Sequence, residues 1–146
     1  MKKLVDVLYE LLLNLDGTAE STQYFTATNY DPRGLDICFY IMLAVAVGAA
    51  AIYYFAIASK VNSATKSNYL WTYIFGWVVL AVFTPLIFQL HFRNDGCQVM
   101  DFLWVFVKLG LINILWYTLV YQLCSSLFCT FPWTKAKNIT LLTVFK

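Results

Sequence analysis

"DFLWVFVKLGLINILWYTLVYQL", residues 101–123, sets a single lysine, Lys108, in an apolar and aromatic run that opens on Asp101. In a water-soluble fold this would be a core helix with an anomalous cation; in a bilayer it is a span with a polar insert. The rest of the chain decides between them. Of its 146 residues, 61% are apolar and 12% charged, where soluble domains carry about 25% charged residues. The charges are also absent from long stretches. Leu35 to Ser59 holds only Asp36, Asn68 to Leu90 holds none, and Phe102 to Phe128 holds only Lys108. Each run exceeds the roughly 18 to 20 residues that cross a hydrocarbon core of about 30 Å.

The expected fold is therefore an all-α integral membrane protein with three transmembrane helices, at about residues 35–59, 68–91 and 100–131. A short amphipathic helix is expected before them. Over residues 2–15, Lys3, Asp6, Glu10 and Asn14 share one face and Leu4, Leu8, Leu11, Leu12 and Leu15 the other. That helix is too short to span; it suits an interface or a docking surface. The N-terminal region, 1–34, continues as a polar, Thr-rich segment with weak strand character through "QYFTATNY". The C-terminal tail, 132–146, starts at Pro132, which is expected to stop the third helix near Phe131. The opening "MKK" resembles a secretory n-region, but Asp6 and Glu10 interrupt what would be its apolar part.

Short loops reveal orientation through their Lys and Arg content. The loop 60–68 carries Lys60 and Lys66, and the tail carries Lys135, Lys137 and Lys146, with no acid in either. The N-terminal region is acid-rich, and Arg93 in the second loop is set against Asp95 and Asp101. Three spans put the first loop and tail on one side, so the expectation is a cytoplasmic C-terminus and an outside N-terminus. Lys2 and Lys3 run against that pattern. Cys38 and Cys97 then share a side and depth and are a candidate disulfide, while small-hydrophobe roles suit all four cysteines.

Several residues in the spans have chemical or packing meaning. Ala44, Gly48 and Ala51 form a small-residue face that admits another helix closely. Thr84-Pro85 is a candidate kink, with Thr84 able to bond a carbonyl that the proline leaves unpaired. Tyr69, Trp71 and Tyr73 read as an aromatic interfacial belt. In the third span Gly110, Asn113, Tyr117, Tyr121 and Cys124 recur at three- and four-residue spacing, forming one stripe suited to helix–helix or oligomer contact. Lys108 lies on another face, seven residues or about 10 Å inside Asp101. Its simplest role is snorkelling toward water and Asp101, ahead of pairing with a neighbouring subunit or lining an ion path.

No catalytic constellation is present. There is one histidine, His91, no acid in the middle of a span, no C-x-x-C and no phosphate-binding glycine loop. An enzyme is not expected, nor a cofactor, a metal or nucleic acid; the partners expected are the lipid bilayer and other membrane subunits or copies of the chain. Aromatics make up 18% of the chain, and the small and polar helix faces point to a scaffold, anchor or assembly subunit of a larger membrane complex. The tail "NITLLTVFK" could add a strand to a partner's sheet. The alternative is a homo-oligomeric pore lined by the third span, with Asn113, Lys108 or the tyrosines in the lumen.

Overall fold

The structure, a computed structural model, describes residues 33–59, 64–93, 103–132, 134, 136 and 139–144. Every regular element among them is helical: α1 (Arg33–Ala51), a π-helical segment (Ile52–Ile57), α2 (Lys66–Arg93), α3 (Leu103–Phe128) and the short α4 (Leu141–Val144). Three stretches are long and apolar enough to cross a membrane, Asp36–Ile57, Lys66–Ile87 and Val107–Phe128, as in a multi-pass membrane protein. The amphipathic segment 2–15, the weak strand at 23–30, Cys97 and Asp101 lie outside the described residues.

Local chemistry sets the helix ends. Thr65 caps α2, its Oγ1 accepting from the Asn68 amide at 3.2 Å, which satisfies one of the donors a helix start leaves unpaired. Pro85 lies inside α2 without ending it. At the other end of the chain, α3 stops at Phe128, three residues before the position expected from Pro132. The amides of Thr130 and Phe131 there turn to carbonyls three residues back, Leu127 and Phe128, at 3.2 Å each. This tighter winding exhausts the helix before the proline is reached.

The chain forms two compact units, one from residues 1–41 and 80–114, the other from 42–79 and 115–146. In the first, the buried side chains include Cys38, Leu80, Thr84, Leu109, Ile112 and Asn113. The Asn113 amide donates to Thr84 Oγ1 at 3.1 Å, so this polar side chain inside the third span finds its acceptor on α2. In the second, the buried set is Met42, Ala46, Ala50, Tyr53, Tyr54, Tyr69, Tyr73, Tyr117, Tyr121 and Ser125, with Ala58, Thr134, Ala136 and Leu141.

The polarity of the helices is the reverse of a water-soluble bundle. Along α3 the exposed apolar residues are Val107, Leu111, Leu115, Leu119, Leu123 and Leu127, a series of four-residue steps, with Ser126 the exposed polar residue among those described. Along α2 they include Trp71, Phe75, Val78, Val82 and Leu86. Six of the span tyrosines, with Thr84, Asn113 and Ser125, lie on the buried faces, while Tyr40 and Ser126 face outward. A bilayer removes the hydrophobic drive to bury leucine, while a hydroxyl facing hydrocarbon loses its hydrogen bond. The leucines therefore face out and the hydroxyls pair inside.

Candidate functional site

Among the described residues the most heavily built place is a six-tyrosine cluster in the second unit, Tyr53 and Tyr54 from the π-helical segment, Tyr69 and Tyr73 from α2, and Tyr117 and Tyr121 from α3. All are at most 7% exposed. On α2 and α3 each pair is spaced i, i+4, which stacks both rings on one face. Tyr53 and Tyr54 are consecutive, and a regular helix would point them about 100° apart. They lie in the widened π turn, marked by the Ala58 amide donating to Tyr53 O at 2.7 Å. That wider turn narrows the angle between neighbouring side chains and lets both enter the core.

The rings touch in an unbroken series. Tyr53 meets Tyr54 and Tyr69 edge-on, with centroids 4.9 and 5.0 Å apart. Tyr69 and Tyr73 each lie 5.3 Å from Tyr121. Tyr117 stacks on both Tyr73 and Tyr121 at 5.6 Å. Aromatic pairs of this geometry contribute about 0.5 to 1.5 kcal/mol each beyond area burial.

Every hydroxyl of the cluster is engaged. Tyr69 donates to Ser125 Oγ at 2.9 Å, and Tyr117 donates to the carbonyl of Tyr73 at 3.0 Å. Tyr73 pairs with Thr118 Oγ1 at 2.8 Å and Tyr121 with Thr72 Oγ1 at 3.3 Å. Tyr53 donates to the carbonyl of the capping residue Thr65 at 3.1 Å. One glycine makes room for this: a Cβ on Gly76 would stand 2.5 Å from Tyr117 Cζ and 2.8 Å from its Cε2. Gly76 is the opening through which Tyr117 reaches α2.

The tail closes over the same unit. Tyr54 donates its hydroxyl to the carbonyl of Ile139, the Leu141 amide donates to Gln122 Oε1 at 3.0 Å, and the Lys66 ammonium donates to Thr143 O at 2.6 Å. The carbonyl at Ile139 and the amide at Leu141, which a strand added to a partner would need, are thus used within the chain, and Leu141–Val144 is a helical turn.

The residues singled out from sequence are placed as follows. Asn113, Tyr117 and Tyr121 are buried; Gly110 and Cys124 are half-buried, and a Cβ on Gly110 would meet nothing within 4 Å. Ala44 is exposed, Gly48 and Ala51 are half-buried, and a Cβ on Gly48 would also meet nothing within 4 Å. The buried face of α1 is instead Cys38, Met42, Ala46 and Ala50. Lys108 is half-buried, Cys38 is a buried free thiol, and Pro85 is exposed beside the buried Thr84. The expected interfacial belt divides: Trp71 is 67% exposed, whereas Tyr69 and Tyr73 belong to the core.

Chemically the cluster is a set of neutral hydroxyls bonded to one another and to backbone. The second unit contains no Asp, Glu or His to act as a base, and among the described residues no three His, Cys, Asp or Glu side chains converge as a metal site would need. The arrangement locks helices together and holds the tail. Sequence reasoning missed Tyr53, Tyr54, Gly76, Gln122 and Ser125; the i, i+4 tyrosine pairs were the signal that could have found the cluster. Comparisons with models of protein families, with curated proteins and with solved structures found no match.

Proposed function

We propose that the chain is a small non-enzymatic membrane subunit, a scaffold, anchor or assembly partner that joins a larger membrane complex through helix–helix contacts. The observation that carries this reading is the direction in which the polar groups face. Asn113, Thr84, Ser125 and the six tyrosines are buried and hydrogen-bonded within their own units, so the outward faces are mostly apolar, with Tyr40 and Ser126 as exceptions. An outward face of that kind offers lipid or another helix a surface and offers ions none. The open small-residue face at Ala44 and Gly48 is the place where a partner helix approaches most closely. Lysine in the loop and tail supports a cytoplasmic position for both, with the N-terminus outside, as part of this reading.

A homo-oligomeric pore lined by α3 would need Asn113, Tyr117 or Tyr121 to face a lumen, and all three are buried. Lys108 is the one candidate lining residue left to it. The test is affinity purification from membranes followed by native mass spectrometry. Expected are other proteins held at fixed stoichiometry, lost on Gly48→Leu while the chain remains folded. A symmetric homo-oligomer without other proteins, whose reconstituted conductance changes on Lys108→Gln, would replace the proposal with the pore.

A further inference from the structure

Residues 139–144 are gripped by side chains from three different elements, each of which takes a backbone atom. Tyr54 of the π-helical segment donates to Ile139 O, Gln122 of α3 accepts from the Leu141 amide at 3.0 Å, and Lys66 at the start of α2 donates to Thr143 O at 2.6 Å. The groups read are a carbonyl, an amide and a carbonyl on alternate residues, so the cradle offers donor, acceptor and donor in that order. None of these three contacts depends on which side chains the segment carries. One side chain is read as well: Leu141 is 7% exposed, whereas Leu142 beside it is 71% exposed.

The segment also carries its own internal bonds. The Thr140 amide donates to Thr143 Oγ1 at 2.8 Å, and that hydroxyl donates to Thr140 O at 2.9 Å. The Thr143 and Val144 amides donate to the same carbonyl at 3.0 Å each. These bonds close a turn within the segment and need nothing from the helices. The helices grip it in these three contacts with side chains, so their own backbone bonds survive its departure. One seated leucine and three hydrogen bonds stand against the conformational freedom lost by residues 139–144, which is a cost of the same order. Docking is therefore finely balanced, unlike the tyrosine core beneath it.

We propose that residues 139–144 are a strap that docks and undocks as one piece, and that the cradle it leaves takes a partner's peptide backbone in its place. The cradle is Tyr54, Gln122, Lys66 and the seat of Leu141. The partner that fits it is a short peptide presenting carbonyl, amide and carbonyl in the same order, with an aliphatic side chain on the amide residue. Main-chain bonds supply the grip and one pocket supplies the selectivity. The chain's own segment is then an intramolecular competitor, and a partner's peptide enters only as the strap leaves. This goes beyond the scaffold reading without requiring it, since every contact lies inside the second unit.

Amide hydrogen exchange on the full isotope-labelled chain in lipid nanodiscs tests it. Lys66→Met and Tyr54→Phe each remove a tie to a residue other than Leu141. A strap that leaves as one piece makes each of them accelerate exchange at the Leu141 amide about fivefold, the scale of one hydrogen bond. The Tyr117 and Tyr121 amides of α3 should not change. An unchanged Leu141 amide in both variants overturns the strap, because the ties then act separately. Acceleration of Tyr117 and Tyr121 by the same factor overturns it too, because the segment then leaves only when the unit unfolds. The cradle is tested on the unchanged chain with an unlabelled peptide of residues 138–146, "NITLLTVFK". At millimolar concentration it should accelerate exchange at the chain's own Leu141 amide more than about twofold by competition. The same peptide with Leu142→Asp should act alike, and with Leu141→Asp it should not act. A parent peptide without effect, or a Leu141→Asp peptide as effective as the parent, overturns the cradle as a docking site.

Discussion

Gly76→Ala is the sharpest probe of the tyrosine cluster, because general rules and this structure disagree about its sign. In an ordinary helix the change removes backbone freedom from the unfolded chain and stabilises by about 1 kcal/mol. Here the new methyl would sit 2.5 and 2.8 Å from two ring carbons of Tyr117, and closer still to its hydroxyl oxygen. The ring has little room to retreat. It is fully buried, stacked on Tyr73 and Tyr121 at 5.6 Å, and tied by its hydroxyl to Tyr73 O at 3.0 Å. Overpacking of this kind costs about 1 to 3 kcal/mol, and loss of the hydroxyl bond adds about 1 kcal/mol. Less the helical gain, the net expectation is a loss of about 1 to 3 kcal/mol. Reversible unfolding in mixed micelles measures it. Tyr117→Leu alone should destabilise, and the double variant Gly76→Ala/Tyr117→Leu should show a favourable coupling above about 1 kcal/mol, since the clash is then gone. If Gly76→Ala is neutral or stabilising, or the cycle shows no coupling, Tyr117 does not occupy the space over Gly76 and the cluster is wrongly described.

Gly48 and Gly110 supply the contrast: Gly48→Ala and Gly110→Ala meet nothing within 4 Å and should be neutral or stabilising by up to about 1 kcal/mol in the same unfolding assay. Asn113→Leu should cost about 1 kcal/mol, and adding Thr84→Val should cost little more, because the first change already breaks their shared bond. Tyr54→Phe combined with Gln122→Ala removes two ties to the tail, and hydrogen exchange at the Leu141 amide should accelerate while α3 remains protected. Trp116→Phe should change stability by less than about 1 kcal/mol, since the buried Trp116 Nε1 has no hydrogen-bond partner among the described residues to lose.

Three membrane-length helices were legible in the sequence because a bilayer imposes a length and an apolar composition that no partner can alter. The first and third charge-poor runs, Leu35–Ser59 and Phe102–Phe128, already matched the bounds of α1 with its π-helical continuation and of α3 to within two residues. Asn113, Tyr117 and Tyr121 were legible as one stripe because helical periodicity needs no tertiary information. Which residues that stripe would meet was not. Ala44, Gly48 and Ala51 have the same small-residue spacing as many packed faces, yet the buried face of α1 is Cys38, Met42, Ala46 and Ala50. In lipid every face of a span is apolar, so pattern alone cannot say which side turns inward. Tyr69 and Tyr73 could equally sit at an interface, where hydroxyls reach water, or in the core, where they reach other hydroxyls; only the positions of Ser125, Thr118 and the Tyr117 ring decided it. The tail's described contacts were decided in the same way, the Ile139 carbonyl, the Leu141 amide and the Thr143 carbonyl going to Tyr54, Gln122 and Lys66. Sequence by itself thus determined the solvent, the number of spans and the separation of charge. The tertiary structure decided which polar group answers which, because a hydrogen bond depends on the position of its partner and composition carries no position.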